Sequence, residues 1–310
     1  MYSQVYVNLK KDQFDLVKNS QTYFIVPIEL NLDEVKTNVQ DIWTLNKITF
    51  VSQDNYEKDK EFYTKEGNSI IKLIKSDKLT GGRISYDSNF SKLRIDFKFL
   101  MLYHQKKKKE NIKIRPLLVA EIYFTPSISY RQYTLSNMTE YNYEWRDKNP
   151  DKEIPDYNPI NEPASYNLNV GYIKNYFQTL NHKLVKGENF KRSDGVKNKL
   201  KLKDLNNQTL YAPDWILKQY SFTSFRLKKN VPSEELFEKY KHEYKVISNN
   251  ELNSKILDGE DFYYFMYTQL NYHKIFSVIH SITGEIIYLK EEKNYNVKDS
   301  DLKNISKLIN

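Results

Sequence analysis

Alternation of apolar and polar residues is clearest at Lys92–His104, where Leu93, Ile95, Phe97, Phe99 and Met101 fall on one side of an extended chain. That period-two spacing predicts a half-buried strand. Ser69–Lys75, Arg83–Asp87 and Ile112–Thr125 read as further extended segments, as do Phe262–Gln269 and Lys274–Leu289. The last of these is expected to fold back as a hairpin at Thr283-Gly284. Helical spacing governs other stretches. Leu32, Val35, Val39 and Ile42 share a face behind Asn31, which can cap a helix with Glu34 at its third position. Leu236, Phe237 and Tyr240 turn inward behind Pro232-Ser233-Glu234-Glu235, and Val170, Ile173, Phe177, Leu180 and Leu184 form a longer stripe that Gly187 can end. A short helix carrying Leu302, Ile305 and Ile309 closes the chain.

The order of these elements occurs twice. A β-prone run with a polar start and a proline stop, Asn19-Ser20-Gln21-Thr22-Tyr23-Phe24-Ile25-Val26-Pro27, is answered by Asn206-Asn207-Gln208-Thr209-Leu210-Tyr211-Ala212-Pro213. A helix follows each. Next comes a strand leading into a cap, Lys47–Tyr56 in the first copy and Glu243–Leu252 in the second, where Ser248 and Glu251 form a capping box and Leu252 pairs with Ile256. Both copies end in extended segments.

The expected fold is therefore α+β, two β-α-β-α-β-β repeats with mixed sheets joined by a long loop and an amphipathic helix. The corresponding division is 1–136 for a first repeat with an expanded sheet, 137–204 for loop, linking helix and basic connector, and 205–310 for the second repeat with its C-terminal helix. The linking helix is expected to pack between or across the repeats.

Composition narrows the function classes. The chain has 310 residues, 39% of them hydrophobic and 28% charged, which suits a chain with a sizeable core. No apolar run approaches the roughly 18 residues of a membrane helix. The absence of Cys excludes disulfides, thiol catalysis and thiolate-bound zinc. The net charge of +8 could favour nucleic acid, but Lys is interspersed with Asp and Glu along most of the chain. The N-terminal residues show no basic, apolar and cleavage-site succession. The chain is then expected to be either cytoplasmic or a mature exported protein whose signal peptide has been replaced by Met1.

Candidate chemistry is sparse. His104, His182, His242, His273 and His280 include no His-x-x-x-His or His-Glu-x-x-His pair, so no metal ligand set is expected. His182 and His242 fall on the polar faces of amphipathic helices, and His273 and His280, seven residues apart, fall on opposite faces of one strand. Asp258-Gly259-Glu260-Asp261 lacks the ligand spacing of a calcium loop and reads as a helix-to-strand connection. No dinucleotide, Walker-type or nucleophile-elbow motif occurs, so no cofactor, small-molecule ligand or catalytic residue is assigned. Lys106-Lys107-Lys108-Lys109 reads as a solvated hairpin tip, and Phe262-Tyr263-Tyr264-Phe265-Met266-Tyr267 as a strand buried on both faces. Tyr141, Tyr143 and Trp145 stand in a polar stretch, where exposed rings favour a partner, and are the candidate contact residues.

The second copy, through Val246-Ile247-Ser248, Phe262-Tyr263-Tyr264-Phe265 and Val278-Ile279-His280-Ser281-Ile282-Thr283-Gly284-Glu285-Ile286-Ile287-Tyr288, resembles periplasmic α+β domains. The families meant are the amino-terminal domain of the Tol–Pal propeller protein and the periplasmic domain of the curli secretion lipoprotein. The resemblance covers about Leu205–Leu289 and, more loosely, Lys18–Tyr103, and the lipidation Cys of the lipoprotein is missing. It implies a non-catalytic envelope protein, periplasmic or associated with the outer membrane, serving as an interaction or assembly factor. An accessory role in an outer-membrane, secretion or motility complex would fit, with other envelope proteins as partners. Two alternatives stay open: a cytoplasmic nucleic-acid-binding protein using the basic loops, and a hydrolase whose site is assembled from distant residues.

Overall fold

The structure, a computed structural model, describes residues 4–76, 92–104, 112–130, 163–191, 195–220, 227–270, 273–294 and 296–309. The first unit runs β1 (Val5–Val7), α1 (Lys11–Lys18), β2 (Gln21–Val26), α2 (Leu32–Val39), β3 (Ile48–Ser52), α3 (Gln53–Lys58), α4 (Lys60–Tyr63), β4 (Asn68–Ser76), β5 (Lys92–His104) and β6 (Ile112–Phe124). A long helix, α5 (Val170–Lys186), follows. The second runs β7 (Val196–Lys197), α6 (Lys199–Leu202), β8 (Leu210–Pro213), a ribbon of β9 (Lys218–Tyr220) and β10 (Leu227–Asn230), α7 (Ser233–Phe237), β11 (Tyr244–Ile247), α8 (Asn249–Leu257), β12 (Tyr263–Leu270), β13 (His273–His280), β14 (Ile286–Lys293) and α9 (Asp299–Ile309).

Each unit builds a six-stranded mixed sheet, ordered β3-β2-β4-β5-β6-β1 in the first and β11-β8-β12-β13-β14-β7 in the second. The topologies are the same. In both, a central strand pairs in parallel with its two neighbours, and the remaining pairings are antiparallel. The fold is thus α+β with two repeats, and each repeat is longer than the sequence pattern indicated. An extra strand precedes each unit and pairs with that unit's last strand, β1 on β6 and β7 on β14.

The caps set the alignment of the copies. Ser52 accepts a bond from Asn55 N at the start of α3, and Ser248 one from Glu251 N at the start of α8. Ser52 lies opposite Val26, whereas Ile247, the residue before Ser248, lies opposite Pro213. Pro213 therefore corresponds to Ile25, and the two β-prone runs align one residue away from the Gln21–Gln208 match that the sequence suggests.

The long helix lies between the sheets. Phe177 stacks on Phe24 at 4.9 Å and Tyr176 meets Phe124 on the first sheet, while Tyr172 stacks on Tyr264 of the second at 5.8 Å. Its start is capped by Asn169, and Gly187 ends it in the left-handed conformation (φ 67°). The helix approaches the second unit closely at Gly171, where a Cβ would stand 3.1 Å from the Asn253 carbonyl oxygen and 3.2 Å from Ile256 Cβ. One continuous hydrophobic core results, drawing on both sheets and on this helix.

Candidate functional site

A groove of about 490 Å³ opens between α2 and β3, at one edge of the first sheet. Asn31 caps α2 by accepting from Glu34 N at 3.0 Å, and Val35 and Val39 bury its inner side. That leaves Leu32, Asp33, Lys36 and Gln40 along the groove wall, opposite Ile48, Thr49 and Phe50 of β3. Trp43 forms part of the floor. Its ring packs edge-on against Phe97 at 5.7 Å, and its indole N–H donates to Asn46 Oδ1 at 2.9 Å. Asn46 in turn donates to Val17 O and Ser20 Oγ. From the long helix, Asn181 accepts the backbone N–H groups of Thr44 and Leu45 at 2.9 and 3.0 Å. The loop joining α2 to β3 is thereby held from two sides, so the groove is preorganised rather than collapsible.

Among the described residues the strand bordering this groove is an open edge. Thr22 N donates to Lys47 O at 2.9 Å, and alternate residues of a parallel strand address the same neighbour. Lys47, Thr49 and Val51 therefore bond to β2, and the backbone groups of Ile48 and Phe50 point away from it. The side chains of those two residues line the groove. Edge strands normally carry a charge, a proline or a cover. Among the described residues the other three edges of the six-stranded sheets are blunted. β1 has three residues and is bridged by Phe190, β7 has two, and β11 carries the exposed Lys245 where β3 has Thr49. The second copy also fills the angle between helix and edge strand. Tyr244, at the position of Ile48, stacks on Phe237 of α7 at 4.1 Å and 11°, with Tyr240 edge-on to both.

A second difference between the copies concerns the sheet face that carries α3 or α8. In the second unit this face receives the long helix and is largely apolar along Met266, Ile275, Ser277, Ile279 and Leu289. Tyr263 pairs with Leu210 as Ser69 pairs with Thr22, so these positions correspond to Lys72, Arg94, Asp96, Lys98 and Glu121 in the first unit. There Arg94, Asp96, Lys98 and Glu121 form an ion-pair ladder, in which Arg94 bonds Asp96 and Glu121 (3.1 Å to the latter) and Lys98 bonds Asp96 at 2.8 Å, while Lys72 pairs with Glu57 of α3 at 3.0 Å. The faces that meet the long helix are thus apolar in both units, whereas the far face of the first sheet buries Asp96 and Glu121 within the ladder.

Tyr141, Tyr143 and Trp145, like Lys106–Lys109 and Arg83–Asp87, lie outside the described residues. His182 is exposed on the long helix, but His242 is not on a helix. It stands in the turn before β11, with Nε2 3.4 Å from Ser306 O, because α7 has already ended at Phe237. His273 pairs with Glu291 and His280 with Asp261, each at 2.8 Å, on opposite sides of the second sheet. Gly259 (φ 74°) turns the Asp258–Asp261 connection, and the ring-rich strand Phe262–Tyr267 is buried throughout. Among the described residues no three His, Asp or Glu side chains gather as metal ligands would, and no helix is long and apolar enough to cross a membrane. A buried charge cluster that sequence reasoning missed, Lys274 with Asp301 and Asn296 O, fastens α9 to β13. Compared with protein-family models, with curated proteins and with solved structures, the chain has no match.

Proposed function

We propose that the protein is a non-enzymatic interaction protein of a bacterial envelope that holds another protein through a sheet edge. The edge strand β3 carries this reading: its outward backbone groups are unpaired by any described residue, and a preformed groove runs beside it. The envelope setting comes from the resemblance of the second copy to periplasmic α+β domains, whose jobs are assembly and tethering. Affinity capture from native envelope fractions, run side by side with the wild-type chain and Phe50→Pro, tests it. Proline is tolerated on an edge whose N–H faces outward, so the substitution removes an outward donor and a groove-lining ring without breaking the β2 ladder. Envelope proteins retained by the wild type and lost from Phe50→Pro are the expected result. Equal recovery by both, or recovery of nucleic acid alone with steep salt dependence, would remove the reading.

A further inference from the structure

We infer that the groove between α2 and β3 takes an extended segment of a partner protein, added as a strand beside β3 with an aromatic side chain seated over Ile48. This deepens the interaction reading above and rests on it.

The second copy shows which chemistry satisfies this angle of the fold. There the chain supplies its own rings, Phe237 stacked on Tyr244 with Tyr240 against them. In the first copy the helix places Lys36 and Gln40 along the wall and offers no ring, while Ile48 replaces Tyr244. The space left is apolar where Leu32, Trp43, Ile48 and Phe50 line it, and an aromatic ring is the group that buries most area at least entropic cost. A small apolar ligand could fill the same volume, but it would leave the backbone groups of Ile48 and Phe50 unpaired. A strand satisfies both, because its backbone continues the sheet while alternate side chains drop into the groove. Charge adds a further constraint. Asp33 and Lys36, about one turn apart on the wall, make no ion pair with a described residue, so a segment bearing one basic and one acidic side chain at matching positions complements them.

The test uses the full chain and a random-peptide library displayed on phage, followed by binding measurements with a synthetic copy of an enriched peptide. Enriched sequences should alternate apolar with polar residues and carry an aromatic residue at one inward position. Binding should slow amide exchange at Ile48 and Phe50. Ile48→Tyr, which installs the residue of the second copy and fills the groove, should weaken the peptide by roughly tenfold or more. Thr49→Lys, which copies the exposed Lys245, should also weaken it and serves if Ile48→Tyr disturbs folding. No enrichment, an unprotected pair of amides, or wild-type affinity in both variants overturns the inference. If the library fails while Phe50→Pro still loses a native partner, the groove inference falls and the interaction reading stands.

Discussion

Asn175 joins the long helix to the second sheet, and its replacement by alanine measures how firmly the two units are held as one body. The side chain is buried and makes three bonds. It donates to Ser281 O at 2.7 Å and to Gln178 Oε1 at 2.8 Å, and accepts from the Tyr264 hydroxyl at 2.8 Å. Burial pushes the Tyr264 hydroxyl well above its ordinary pKa, so it stays protonated and needs its acceptor. Asn175→Ala strands that hydroxyl and deprives the Ser281 carbonyl of this donor. Each buried orphan costs about 1–3 kcal/mol, so a loss of about 3–5 kcal/mol is expected for the pair with the cavity included. At about 2.1 cal/mol/K per residue of unfolding entropy, that lowers the Tm of a chain this long by roughly 5–8 °C. Urea denaturation followed by both far- and near-ultraviolet circular dichroism gives the free energy. A double-mutant cycle with Tyr264→Phe isolates the pair, because deleting the hydroxyl removes one orphan, and the double variant should be less unstable than the sum by about 1–3 kcal/mol. One transition should shift as a whole, since a single core spans both units. A loss under about 1 kcal/mol, strict additivity with Tyr264→Phe, or a second transition shifting alone would refute the reasoning.

Two glycines offer a sharper contrast. Gly284 and Gly259 both have positive φ, but a Cβ on Gly284 would overlap the Asn175 carbonyl, whose carbon lies at 3.0 Å, while a Cβ on Gly259 meets nothing within 4 Å. Gly284→Ala should therefore cost about 2–4 kcal/mol and Gly259→Ala only about 1 kcal/mol, by the same denaturation assay. Lys274→Met should cost about 3–5 kcal/mol by leaving Asp301 buried without its cation, and Lys274→Met combined with Asp301→Leu should recover most of it. Burial pushes Asp301 up to about 6 despite Lys274, with Lys290 and Glu292 also near the cluster. A folded pKa above the ordinary value favours the folded chain below about pH 4, and that contribution is lost as pH rises through about 6. Asp301→Asn should accordingly show a different pH dependence of its unfolding midpoint in that window, and a profile parallel to the wild type would contradict the assignment.

Much of the local structure was legible in the sequence because it is settled within a few residues. Asn31 and Ser248 start helices and Gly187 ends one through bonds and conformations that involve near neighbours only. The alternation in β5 and the ring-rich run of β12 report which faces are buried, since side-chain direction is set by the strand itself. The repeated order of elements followed from the same signals, and so did the placement of the long helix between the copies.

What the tertiary structure decided lies where distant segments compete for the same partner. β1 and β7 have three and two residues, too few to show any period, and are strands only because β6 and β14 offer them an edge. The one-residue offset between the copies comes from strand pairing, to which residue identity was a misleading guide. Lys274 and Asp301 are 27 positions apart and meet only after β13 and α9 pack. The groove is the extreme case, being a gap rather than a pattern. Its existence depends on a ring that α7 supplies in the second copy and α2 omits in the first, and only two helices packed on two edges display that difference.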